Sequence, residues 1–195
     1  MFSVWWQLFN VALWLQVVRM MPQLDEFCEH HSANTMHDFC CDLHDESPQF
    51  SDCQSDWHNK IDYTNDEDEL LYMFCTAECT YNSTDFLAGN RQSLNLHHVR
   101  EHLENDLANA KDEALLYEVY VKCDKHALGQ LEHKDVKALA KRLIPHGCHP
   151  FPGLVMECMV REMILRCPAE RFHKTAQCHV VRQYLQKCLQ QTKST

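Results

Sequence analysis

From residue 66 onward, apolar side chains recur at the 3.6-residue spacing of amphipathic helices. Residues 66–81 open on the acidic run Asp66-Glu67-Asp68-Glu69, which suits a helix amino terminus. Leu70, Leu71, Phe74, Cys75, Ala77 and Cys79 then form one stripe. After Ser93, read as an N-cap, Val99, Leu103 and Leu107 recur at i, i+4 and i+8. Asp112 is placed to cap a helix holding Leu115, Leu116, Val119, Tyr120 and Cys123. Val136, Leu139, Leu143 and Ile144 mark another, stopped by Pro145 and Gly147. In residues 152–166, Met156, Met159, Val160 and Met163 line one face, and the stripe ends at Cys167-Pro168. Glu157/Arg161 and Glu162/Arg166 stand at i, i+4 on the polar side, where such pairs support a helix. Residues 169–190 read as a last helix with Val180, Val181, Tyr184, Leu185 and Cys188.

Before residue 66 the pattern changes. Residues 1–22 begin with an uncharged apolar run, interrupted by Gln7, Asn10 and Gln16 and ended by Arg19 and Pro22. That run is short for a membrane anchor and reads as a cleavable signal peptide. Residues 23–65 form an amino-terminal extension and acidic linker. From Asp42 to Glu69 there are ten acidic residues and a single lysine, Lys60, with Pro48 and Asn59 as breaks. We read this stretch as solvated chain. Residues 66–168 are the helical core, and residues 169–195 a carboxy-terminal extension. Only four glycines are present, which disfavours phosphate-cradling loops and turn-rich sheets. The expected fold is all-α: a disulfide-braced bundle of about six to eight helices enclosing an apolar cavity.

Twelve cysteines in 195 residues, an even number, point to an oxidising compartment and to disulfides rather than free thiols. Close ligand couples for zinc are missing, so no metal and no cofactor are expected. Net charge is −10, which argues against binding nucleic acid. Cys75 and Cys79 fall on consecutive turns of one helix. Their Cβ atoms would be roughly 5–6 Å apart, beyond the roughly 3.5–4.5 Å of a disulfide. Each must therefore reach a different element. The same holds for Cys158 and Cys167, two and a half turns apart. Bridges of this kind brace helices against one another, and each stabilises by about 3–5 kcal/mol when it closes a long loop. Such bracing makes an unfilled interior tolerable.

The order Cys75-x3-Cys79, x43 to Cys123, x9 from Cys148 to Cys158 and x8 to Cys167 resembles the helical insect odorant-binding proteins. Cys148, Pro168 directly after Cys167, and the later Cys178 and Cys188 resemble the Plus-C branch of that family, seen notably in mosquitoes. The resemblance covers residues 75–188. It implies the pairs Cys75–Cys158 and Cys123–Cys167, with Cys79 joined to Cys53 or Cys41, Cys53 preferred. It also implies a secreted, non-enzymatic carrier of small hydrophobic odorants or semiochemicals, acting in the lymph around sensory neurons. Methionines are flexible and polarizable and suit a pocket that accepts several shapes. Met156, Met159, Val160 and Met163, facing Phe74, Tyr120, Leu139 and Leu143, are therefore the expected lining, although apolar stripes at helical spacing are more often plain core.

Two rivals come from other classes. Cys40-Cys41-Asp42-Leu43-His44-Asp45 resembles the active-site helix of secreted phospholipase A2, with His44 as general base and Asp45 on calcium. The glycine-rich calcium loop of that chemistry is missing upstream of Cys40, and Ser47 stands where that motif has another cysteine. The other rival is a secreted interaction module with no small ligand. The expected partner is a small hydrophobic molecule, with no stable membrane association once the signal peptide is removed. The acidic stretch is long enough to let the amino-terminal segment exchange within a homodimer.

Overall fold

The computed structural model describes residues 40–42, 48–61 and 66–191. The expected signal peptide, Cys28 and the His44-Asp45 couple lie outside the described residues. Seven α-helices are present among them: α1 (Pro48–His58), α2 (Asp66–Ser83), α3 (Leu96–Asp106), α4 (Ala110–Gln130), α5 (Lys134–Leu143), α6 (Pro150–Arg166) and α7 (Ala176–Gln191). A 3-10 turn, Ile144–His146, follows α5. Two isolated β-bridges, Cys41 with Phe172 and Leu87 with Leu94, stand in place of any strand among the described residues. The fold is all-helical and braced by disulfides, as the periodicity indicates.

The described residues fall into two units, residues 40–175 and the terminal helix α7. In the first, α6 is the central element and packs against α4, α2 and α5. Its buried face runs through Phe151, Val155, Cys158, Met159 and Glu162. α3 packs on α4 through Val99 and Leu103, and α1 packs on α2. In α7 the buried positions Cys178, Val181, Leu185 and Cys188 form a single stripe.

Several boundaries differ from the expected ones, each for a local reason. The acidic stretch contains α1, whose ends are Pro48 and His58, next to Asn59. The residues read as breaks thus mark the limits of a helix, since proline is tolerated in a first turn. α3 is capped by Asn95 rather than Ser93, its side chain accepting the His98 N–H at 3.4 Å. α4 starts at Asn109, which accepts from the Lys111 N–H at 3.0 Å. Asp112 lies inside the first turn, where it is buried and pairs with Arg171 at 3.0 Å. The last helix begins at Ala176, after an extended stretch in which the His173 N–H donates to the Cys40 carbonyl at 3.1 Å. After α5, Gly147 adopts a φ of 76°, the left-handed conformation that ends the turn.

Candidate functional site

The disulfides set the frame of the core. Cys53 pairs with Cys79, Cys75 with Cys148, and Cys123 with Cys158. In chain order these six cysteines join first to third, second to fifth and fourth to sixth. Cys41 pairs with Cys167, tying the segment before α1 to the end of α6. Cys40, Cys178 and Cys188 are also disulfide-bonded.

This corrects the pairs Cys75–Cys158 and Cys123–Cys167. The reason lies in how α6 meets its neighbours. Just ahead of α6, Cys148 reaches Cys75 of α2. One turn further along α2, Glu78 accepts the His149 N–H at 3.1 Å, so the same register is held twice. Cys158, within α6, is then left opposite α4. There Lys122 donates to Glu162 and Arg166 to Glu118, both at 2.5 Å, while Cys158 bonds Cys123. Rising numbers on α4 meet falling numbers on α6, so the two helices run antiparallel. Glu162 and Arg166, expected to pair within their helix, are instead partners of α4.

The eight expected lining residues sit on α2, α4, α5 and α6, all elements of one core. Phe74, Tyr120, Leu143 and Met159 are buried. Leu139 of α5 is half-buried, as are Met156, Val160 and Met163, which flank the buried face of α6. Phe74 is spoken for by the helix crossing. A Cβ built on Gly153 would lie 2.2 Å from its Cδ1, so the ring packs directly on the α6 backbone. Glycine here permits α2 and α6 to approach closely.

Polar groups inside the core are few and, with one kind of exception, bonded. Glu78, buried on α2, pairs with Arg91 and accepts from Asn82 at 3.4 Å and from the His149 N–H. Arg91 also donates to the Gly147 carbonyl at 3.1 Å, and it holds a left-handed φ of 56°. Asp124, buried on α4, accepts the Leu94 N–H at 2.7 Å. These two carboxylates pin the loop between α2 and α3 to the bundle. That loop folds back on itself at the Leu87–Leu94 bridge and carries Phe86 inward. The Phe86 ring meets Tyr81, Tyr120 and His102 edge to face, at centroid distances of 6.2, 5.7 and 5.1 Å. Burial raises both tyrosine phenols above their ordinary range, so they stay neutral donors. The remaining orphan is Thr76, whose enclosed hydroxyl has no partner among the described residues.

Of the aromatic cluster, only Tyr120 stood out from the helical stripe. Tyr81 lies past the last stripe residue of α2, and Phe86 lies in a loop, where periodicity carries no signal. A group of histidines, cysteines and carboxylates able to hold a metal ion is absent among the described residues. No helix among them is long and apolar enough to cross a membrane. The arrangement offers a largely apolar interior with buried carboxylates that are paired within the protein and two neutral phenols.

Comparison with curated proteins and with solved structures finds no match. A family model does match, described as AgamOBP47-like, over residues 43–184. That span is well over half of the chain and contains α1 to α6, the three interleaved bridges and most of α7. The chain therefore belongs to the AgamOBP47-like family, a family of insect odorant-binding proteins.

Proposed function

We propose that the protein is a secreted, non-enzymatic carrier that holds small hydrophobic odorants or semiochemicals within its helical core and serves olfactory perception. The observation that carries this reading is the family match spanning all three interleaved bridges of the core. Disulfide bonding of every described cysteine supports an oxidising, extracellular setting. The interior of α2, α4, α5 and α6 supports an apolar ligand, with Tyr120, Leu143 and Met159 as buried contacts and Met156, Val160 and Met163 at their margin. Membership of the Plus-C branch is part of the proposal and rests on the cysteines beyond Cys167 and on Pro168.

Titration of the folded, oxidised protein with an apolar fluorescent probe tests the reading. Saturable binding at micromolar concentration, reversed by odorant-like molecules, is the expected result. A protein that binds no probe under these conditions is not a carrier of this kind.

A further inference from the structure

Inside residues 40–175, the polar groups divide into those the protein satisfies and those it leaves open. Glu78, Asp112, Asp124 and Glu162 are buried, and each has a protein partner. Tyr81 and Tyr120 are comparably buried, 5% and 6% exposed, yet neither hydroxyl forms a hydrogen bond among the described residues. Buried polar groups nearly always have partners, so two neighbouring exceptions ask for a cause.

The two tyrosines come from different helices and flank one ring. Tyr81 of α2 and Tyr120 of α4 both meet Phe86, which the pinned loop inserts between them. Thr76 shows what a sealed orphan looks like, with its oxygen fully enclosed. The tyrosine oxygens are not fully enclosed in that way. His102 is the titratable group that also meets the Phe86 ring, and its Nε2 pairs with Asp106 at 3.0 Å.

We propose that the hydroxyls of Tyr81 and Tyr120 grip the polar end of the ligand, which is a small molecule with an apolar body and one uncharged oxygen group, a hydroxyl or a carbonyl. The end group is uncharged because neither phenol carries charge to offset that of a buried ion. Two phenols serve both classes, since each can donate to a carbonyl and either donate to or accept from an alcohol. The Phe86 ring keeps water away from the pair and so strengthens the bond to the ligand. This inference rests on the carrier reading and adds the ligand's chemistry to it.

The test uses the full oxidised protein and displacement of N-phenyl-1-naphthylamine by three matched chains: 1-nonanol, nonan-2-one and 1-nonene. The alcohol and the ketone are expected to compete about three- to tenfold more tightly than the alkene, the value of one or two net hydrogen bonds. Tyr81→Phe and Tyr120→Phe remove only the oxygens. Together they are expected to abolish the preference, so that the alcohol and the ketone compete no better than 1-nonene. Equal competition by all three in the unaltered protein overturns the inference and leaves the carrier reading standing. So does a preference that survives in the double variant. Failure of the probe to bind at all overturns both.

Discussion

The α2–α6 seam and the Tyr81–Phe86–Tyr120 cluster are both buried and both contain polar atoms, yet they are finished differently. At the seam every demand is met from within the chain. The Cys75–Cys148 bridge, the Glu78–Arg91 pair with the His149 N–H, and Phe74 on Gly153 close it covalently, electrostatically and sterically. In the cluster the rings are packed edge to face, but the two hydroxyls have no hydrogen-bond partner among the described residues. A region built for rigidity leaves nothing to be satisfied; on the inference proposed above, the cluster leaves its hydrogen bonds for a ligand. Burial alone does not distinguish the two. The state of the polar atoms does.

The contrast can be broken first at the seam. Replacing Cys75 and Cys148 together by Ser removes a bridge with a sequence separation of 73 and is expected to cost about 4 kcal/mol. Chemical denaturation of the variant checks this, and a loss below about 1 kcal/mol would mean that the packing holds the seam without the bond. Glu78→Ala strips the acceptor from Arg91 and from the His149 N–H. Because Arg91 is half exposed and regains water, a loss of about 2 kcal/mol is expected rather than that of a fully enclosed ion pair. Gly153→Ala forces the Phe74 ring aside and should cost about 1–3 kcal/mol. At an ordinary exposed helical site the same change would stabilise, so the sign of the shift in Tm decides the matter.

The cluster should respond in the opposite sense. Tyr120→Phe deletes an oxygen with no hydrogen-bond partner among the described residues and is expected to leave stability within about 0.5 kcal/mol of the starting value while changing ligand preference. A large loss in thermal denaturation would show that the hydroxyl serves the fold. The smallest effect concerns pH. His149 Nδ1 accepts the Phe151 N–H at 3.2 Å, a role open only to the neutral ring. Burial lowers its pKa below 6.5; Arg91 acts in the same direction and Glu78 opposes both. The unfolded chain therefore takes up a proton that the folded state resists. Stability from this group is present above pH 6.5 and is lost as pH falls below it. His149→Asn keeps an acceptor and should reduce the loss of Tm between pH 7.5 and 5; an equal loss in both proteins would assign the effect elsewhere.

How much of this was readable beforehand depends on the kind of signal. Stripe residues such as Leu116, Val119, Cys123, Val99 and Leu103 are buried where the period places them. The separation of Cys75 from Cys79 and of Cys158 from Cys167 follows from helix geometry, and each of the four does bond to a different element. Their partners were not legible, because pairing depends on how helices cross rather than on spacing along one of them. α1 was hidden by its acidic setting, since charge masks a helix whose burial comes from one cysteine and its neighbours. Glu162 reads as a surface residue until Lys122 arrives from α4. Of the Tyr81–Phe86–Tyr120 cluster, one ring of the three comes from a loop, and the lack of hydrogen-bond partners for Tyr81 and Tyr120 among the described residues is a property of the folded state alone.

The interleaving of the bridges has a consequence for how the molecule meets a protease. Every peptide bond between Cys53 and Cys158 lies within at least one closed loop of the Cys53–Cys79, Cys75–Cys148 and Cys123–Cys158 set. A protease that cuts once in this span opens the chain without releasing a piece, and the Cys41–Cys167 bond encircles the same span a second time. A nicked copy would gain only the mass of the added water and release no fragment until reduced, and its helices would stay tethered together.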